Sequence, residues 1–496
     1  MSSTTGTQPE DAPDLLSTPQ AGPAAVRGGG ARGVGFLVGA VASAGAAAML
    51  FRHLGVTDTG SYVTIVSLVA IVSGFSDLGL TAVGVREASV RAVGDRAELL
   101  RELLGLRLTL TVLSLVVLGA VAQLGYSSVI LAGVAIAGVG LLLQVTQDNY
   151  TVLLQVELRL GWMAALDALR QVGTVLFVGL LVLADAHLLA FVGVSVAVGV
   201  ICLAAAVALV RGRRSLAPAF HWRRWRPMIA EILPYSLAVA AAALYFRVAI
   251  VMTSLLASAH ELGLFSASFR IIEFLTIIPA LIAGSALPIF SRAARDDPER
   301  LGYALTRVFE VGLIVGCWIA VSLAVGAELA IKVIAGSAFS GATVPLQLLG
   351  IALAGTFINV VWSNGLLSLH RHRALLVINL AGLGLAIVVI GALAAADGAD
   401  GAAIGLAVTE LAAAVVSGIV LTSGRPELRP SLRIVPRVAI AAGIALLPML
   451  LTGIPVIARL AISTAMYGAA LLAMRALPAE LGALLPTLRP WRRPAP

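Results

Sequence analysis

The sequence predicts an all-α, polytopic membrane protein of about fourteen transmembrane helices, and three observations carry that prediction. Apolar residues make up 59% of the chain and charged residues 12%. A soluble domain carries about 25% charged residues, so this much apolar surface exceeds what one aqueous core can bury. Apolar runs long enough to cross a ~30 Å hydrocarbon layer recur at nearly regular spacing along the chain. Finally, when the turns are numbered alternately from a cytoplasmic N-terminus, the arginines fall almost wholly on one side.

Taken in order, residues 1–28 are rich in Ser, Thr, Pro, Ala and Gly and include Glu10, Asp11 and Asp14. They are expected to form a disordered cytoplasmic N-terminus. They lack the basic region, apolar core and cleavage site of a signal peptide. Spans follow at about 33–51, 61–82, 105–124, 127–149, 163–184 and 188–210, which form an N-terminal six-helix lobe over 29–210. A cytoplasmic loop, 211–230, leads to a second six-helix lobe over 231–424, with spans at about 235–256, 264–290, 305–326, 345–368, 374–395 and 402–423. An additional helix pair occupies 425–476, with spans at about 436–453 and 455–474, and 477–496 is a cytoplasmic tail.

The inside segments hold Arg27 and Arg32, then Arg86, Arg91, Arg96 and Arg101, then Arg159, then Arg211, Arg213, Arg214, Arg223, Arg224 and Arg226. Further on they hold Arg292, Arg295 and Arg300, then Arg371 and Arg373, then Arg425, Arg429 and Arg433, and finally Arg475, Arg489, Arg492 and Arg493. The outside segments hold only Arg52, Lys332 and Arg459. A missed or invented span would reverse the bias downstream, so an even number of spans with both termini in the cytoplasm is expected. The net charge of +8 is accounted for by these loops. No basic amphipathic helix or aromatic–basic platform points to nucleic acid.

Two inside loops are amphipathic. Gly84–Arg101 alternates basic and acidic residues and reads either as a helix on the membrane surface or as a charge-paired connector. Arg211–Pro227 contains His-Trp-Arg-Arg-Trp-Arg-Pro, a composition suited to the headgroup layer. A faint repeat links the lobes. Gly60-Ser-Tyr and Gly263-Leu-Phe each open an apolar run that ends in an arginine-rich inside loop, as in transporters built from two like-oriented bundles.

Charges inside spans mark pathways or local pairs. Asp167 with Arg170, Arg270 with Glu273, and Arg307 with Glu310 stand one helical turn apart and can neutralise each other. Arg247, Asp77, Asp148 and Glu410 stand alone within their helices and are the functional candidates. Asp77, Asp148 and Glu410 are candidate ion-coupling sites. Asn359, Ser363 and Asn364 read chiefly as interhelical hydrogen-bonding groups.

Other chemistry is thin. The only lysine is Lys332 and no phosphate-binding Gly-rich loop with Lys-Ser/Thr exists, which excludes an ATP-hydrolysing subunit. The six histidines form no metal-ligand array, so no metal and no cofactor is expected. Cys202 and Cys317 lie within apolar runs and read as packing residues.

The stretch Leu233–Arg292 also carries a family pattern: Arg247, Gly263, Leu264, Ser266, Ala267, Arg270, Pro279, Pro288 and Arg292. It resembles the seventh and eighth helices of Wzx-type polysaccharide flippases, members of the multidrug/oligosaccharidyl-lipid/polysaccharide exporter superfamily. The resemblance covers about residues 30–425. One position departs: Ala249 stands where the family commonly has aspartate.

The resemblance implies a cytoplasmic-membrane transporter, not an enzyme, that moves polyprenyl-pyrophosphate-linked oligosaccharide for cell-surface polysaccharide biosynthesis. Its partners would be that lipid-linked oligosaccharide, membrane lipids and other polysaccharide-assembly proteins. For such a substrate Arg247, together with Arg270, is the expected phosphate ligand in a cavity between the lobes, because a guanidinium fork meets phosphate oxygens bidentately.

Three alternatives are weighed. A lipid II flippase also has fourteen helices, but its usual N-terminal arginine–aspartate and Phe-Gly-Ala-Gly pattern is absent. A multidrug/cation antiporter favours acidic cavities; Arg247 counts against it, while Asp77 and Glu410 count for it. A membrane polymerase or ligase needs a large external loop, and the longest external segment here is only about Glu328–Thr343.

Overall fold

The computed structural model describes residues 21–476, apart from 78–79, 91–92, 158, 211–216, 224, 227–240, 242–243, 246 and 452. Nearly all described residues are helical, and among them there is no strand. The helices are α1 (Ala21–Asp77), α2 (Leu80–Val90), α3 (Val93–Ala122), α4 (Ser128–Val156), α5 (Leu160–Leu183), α6 (Leu188–Val210) and α7 (Arg247–Leu256). They continue with α8 (Ala259–Leu275), α9 (Ile277–Asp296), α10 (Pro298–Ile334), α11 (Thr343–Ser368), α12 (His372–Thr422), α13 (Ile434–Leu446) and α14 (Val456–Ala473).

Ten helical segments among the described residues are long and apolar enough to cross a membrane. Two of them bend. Gly55 breaks α1 with φ 71°, and Asp397–Gly398 breaks α12, where Gly398 has φ 53°. Both backbone states are ones that glycine adopts freely. α7 and α13 add two shorter apolar helices to these ten candidate spans.

α1 begins at Ala21. Residues 1–20, the tail 477–496 and the first part of the seventh span lie outside the described residues.

The Gly84–Arg101 stretch is α2 followed by the start of α3. Leu80 and Ala88 are buried against Leu99, Leu100, Leu103 and Val152, so this stretch is a packed connector. Arg86 and Glu87 pair at the surface at 3.0 Å, whereas Arg96 is buried. Of the two tryptophans in the next inside loop, Trp222 is exposed. Trp225 is buried in the same core, and its Nε1 donates to Glu102 Oε2 at 3.1 Å.

The chain forms two compact units. One comprises the described parts of 1–46 and 68–240; the other comprises 47–67 and the described parts of 241–496. Residues 47–67 thus join the second unit, whereas their order in the sequence places them in the first lobe. Their contacts explain this. Phe51 stacks on Phe339 with ring centroids 6.0 Å apart, and Arg52 donates to the Lys332 and Val333 carbonyls.

Gly60 and Gly263 sit at a close crossing of α1 and α8. A Cβ on Gly60 would lie 2.6 Å from the Ala259 carbonyl oxygen, and one on Gly263 only 2.0 Å from that of Val56. The two glycines that open the faint repeat are therefore packed against each other.

The core of the second unit holds Phe290, Leu305, Phe309, Trp362 and Leu421, and it also takes in Val438, Ala441, Tyr467 and Leu471 from α13 and α14. Tyr467 Oη donates to the Ile314 carbonyl at 2.9 Å. The last helix pair is thereby fastened to α10.

Candidate functional site

Polar groups inside the spans collect in three clusters. In the second unit, α7 brings Arg247 to Glu273 of α8: Nη1 to Oε1 is 2.8 Å. Arg270, one turn earlier on α8, meets the other oxygen of the same carboxylate at 2.9 Å. Arg270 also lies over the Phe274 ring, 5.0 Å from its centroid. The Glu273 side chain is only 13% exposed, against 22% for Arg247 and 34% for Arg270. Two guanidinium groups thus share one carboxylate.

This corrects one premise drawn from the sequence. Arg247 has no acid within its own helix, but it is not an unneutralised cation, because the packing of α8 supplies Glu273. Spacing alone assigns Glu273 to Arg270 and to nothing else.

The second cluster surrounds Glu410 of α12, which is 8% exposed. Tyr245 Oη donates to Oε1 at 2.6 Å and Thr356 Oγ1, from α11, to Oε2 at 2.9 Å. Gly355 lets α12 approach here, since a Cβ on it would lie 3.1 Å from the Glu410 carbonyl carbon. Among the described residues no salt bridge reaches Glu410. Two hydroxyl donors hold a carboxylate in place without a fixed counter-charge, an arrangement that can take up a proton or a small cation.

The third cluster lies in the first unit. Arg107 of α3 donates to Asp77 Oδ1 at 2.9 Å, and its side chain is only 4% exposed. The same oxygen accepts the Thr81 backbone N–H at 3.3 Å, so Asp77 also ties down the start of α2. Asp148 of α4 feels the charges of Arg107, Arg170, Asp77 and Asp167. Arg170 donates to Gln147 Oε1, next to Asp148 on α4.

The sequence singles out Arg247, Arg270, Asp77, Asp148 and Glu410, and the structure gives each of them polar or charged company. Arg107, Tyr245 and Thr356 escape that reading. An arginine within an apolar run is the signal that picks out Arg247, and it applies equally to Arg107. The hydroxyls of Tyr245 and Thr356 carry no comparable signal. The Arg307–Glu310 pair forms at 2.7 Å as its spacing predicts, and Ser417 donates to Asn359 across helices at 2.9 Å. No group of three His, Cys, Asp or Glu side chains able to hold a metal occurs among the described residues.

Long apolar helices that bend at glycines, with charges gathered in buried clusters, define a multi-pass membrane protein. A sequence profile of the family described as "Polysaccharide biosynthesis protein" matches residues 49–344, and the chain belongs to that family. No curated protein sequence matches it.

Among solved structures the chain is similar to the lipid II flippase MurJ in an inward closed conformation. The TM-score is 0.74 at 10% identity, covering 90% of this chain and 98% of that one. It is also similar to an inward-facing multidrug-resistance MATE family transporter of the MOP superfamily, with a TM-score of 0.60 at 14% identity over 78% of this chain and 94% of that one. A MOP superfamily transporter from Pyrococcus furiosus, with a binding pocket of reversed polarity, gives 0.55 at 15% identity, over 82% and 96%. At these identities the likeness shows the fold. Family and fold together bear out the resemblance to the exporter superfamily.

Proposed function

We propose that the protein is a flippase that carries polyprenyl-pyrophosphate-linked oligosaccharide across the cytoplasmic membrane for cell-surface polysaccharide assembly. Two six-helix lobes would open to alternate sides, with both termini in the cytoplasm. The observation that carries the reading is the Arg247–Glu273–Arg270 group, which lies in the stretch matched by the family. Two guanidinium groups tied to one shared carboxylate, on side chains shaped to meet phosphate oxygens, suit a pyrophosphate that must bind and then leave.

The test is flipping of pyrophosphate-linked oligosaccharide in proteoliposomes at matched protein abundance. Arg247→Lys, which keeps the charge and loses the fork, should transport partially; Arg247→Ala should lose nearly all transport. Full transport by the alanine variant removes Arg247 from the mechanism.

Imposing pH and sodium gradients on the same vesicles tests coupling. Glu410 is the best-placed of the three candidate acids, because Asp77 is already engaged by Arg107 and Asp148 shares the field of two arginines. Indifference to both gradients would leave Asp77, Asp148 and Glu410 as structural groups. Reporter fusions after Ser127 and Asp397 should read outside and after Arg373 inside; two adjacent contrary results would discard the orientation. A lipid II substrate is the second reading, favoured by the TM-score of 0.74 to MurJ. Faster flipping of lipid II than of oligosaccharide carriers would select it.

A further inference from the structure

A second arginine group lies away from the Arg247 cluster. Arg307 and Glu310 near the start of α10, Arg433 and Arg437 at the start of α13, and Arg475 just past the end of α14 line one cavity of about 270 Å³, together with Ser431. These segments are more than 100 residues apart at their widest, so the fold assembles the group; it is not a run of charge along the chain. Arg433 and Arg437 stand one turn apart on one helix face.

The single acid is already engaged, since Glu310 accepts from Arg307 at 2.7 Å. Among the described residues that line the cavity, four guanidinium groups face one carboxylate. The floor is rigid: Ile434 and Ala476 are buried within the core that joins α10, α13 and α14.

Arg475 adds an independent sign. It closes α14 with φ 51°, its N–H bonded to the Leu472 carbonyl at 3.1 Å and the Ala476 N–H to that of Leu471 at 2.9 Å. Helices that end this way usually place glycine at that position, because an L side chain is strained there. Here the strained position carries an arginine that lines the cavity.

The surroundings favour a lipid over a soluble anion. Leu432, Ile440 and Leu472, beside the cavity's residues on the same segments, are 64%, 55% and 46% exposed. A headgroup phosphate in the cavity would leave acyl chains beside such apolar side chains. We propose that this cavity binds the phosphate of an anionic membrane lipid and that the last helix pair serves to build it. The lipid site stands whether or not the chain is a flippase.

The test uses the full chain, purified in detergent, with phosphatidylglycerol, phosphatidylcholine and inorganic phosphate as separate probes. Binding is read by native mass spectrometry and by the shift of apparent Tm. Phosphatidylglycerol should bind and raise Tm, and phosphatidylcholine should do neither. Arg475→Gly should weaken phosphatidylglycerol binding about five-fold, the effect of one arginine near an anionic surface, and Arg433→Gln with Arg437→Gln about 25-fold. Arg475→Gly relieves the backbone, so its lipid-free Tm should equal or exceed that of the parent, which separates lost binding from lost folding. Unchanged phosphatidylglycerol affinity in these variants, or equal binding of phosphatidylcholine, would overturn the proposal. Equal protection by inorganic phosphate alone would overturn the choice of a lipid.

Discussion

Replacing Gly263 with alanine tests whether the crossing of α1 and α8 is as close as the structure has it. The new methyl carbon would lie 2.0 Å from the Val56 carbonyl oxygen and 2.7 Å from its carbon, where ordinary contact begins at 3.4 Å. The obstacle is backbone, so no rotamer change relieves it and the helices must part by more than an ångström. Neighbours on the same turns of α8 would lose contact as well, since Phe265 and Ala267 are fully buried. Overpacking of this kind costs roughly 1–3 kcal/mol. The better helix propensity of alanine returns about 1 kcal/mol. With a backbone obstacle the cost sits at the upper end, so a net loss of about 2 kcal/mol is expected.

Gly60→Ala meets the Ala259 oxygen at 2.6 Å and should cost less. Around Gly284 on α9 nothing lies within 4 Å of where an alanine methyl would stand, so Gly284→Ala should be neutral or stabilising by about 0.4–1 kcal/mol. The assay is the fraction of protein surviving a fixed heating time on size exclusion in detergent, because unfolding of such proteins is commonly irreversible. The expected order of survival is Gly284→Ala, parent, Gly60→Ala, Gly263→Ala. A Gly263→Ala protein as heat-resistant as the parent would refute the close crossing.

Two further outcomes follow from the polar groups. Glu273→Gln removes the carboxylate that serves two arginines and should cost about 3 kcal/mol, since each charge-assisted bond contributes roughly 1.5–3 kcal/mol. It should lower heat resistance more than Arg270→Gln, and a reversed order would mean that Glu273 is not shared. Asp400, in the turn between the two spans of α12, has its pKa raised above 3.8, first by burial and then by the charges of Asp397 and Glu261. The folded state then holds that proton more tightly than the unfolded state, so the stability it contributes falls as pH rises from 3.8 through the raised value. Heat resistance of Asp400→Asn relative to the parent should therefore grow with pH across that window, and a flat difference would contradict the assignment.

What is legible in the sequence divides by range. Pairs one turn apart, such as Arg270–Glu273 and Arg307–Glu310, follow from helix geometry and need no knowledge of packing. The multi-pass, all-helical character is legible because hydrocarbon thickness sets a minimum run of apolar residues. The bend at Asp397–Gly398 is legible as a break between two such runs. Arg247–Glu273 and Arg107–Asp77 are not, because their partners lie 26 and 30 residues away on helices whose facing sides depend on packing angles. The placement of residues 47–67 in the second unit is hidden for the same reason. It depends on two glycines meeting across a gap of some 200 residues, and a glycine inside an apolar run signals no partner by itself. The arginine cavity joins three helix ends that the positive-inside bias places on one side, but only packing makes them adjacent.

Tyr245 and Arg247 are two positions apart, yet one is bonded to Glu410 on α12 and the other to Glu273 on α8. One residue added to or removed from the chain between these two side chains changes the spacing that both attachments require, so at most one of the two survives.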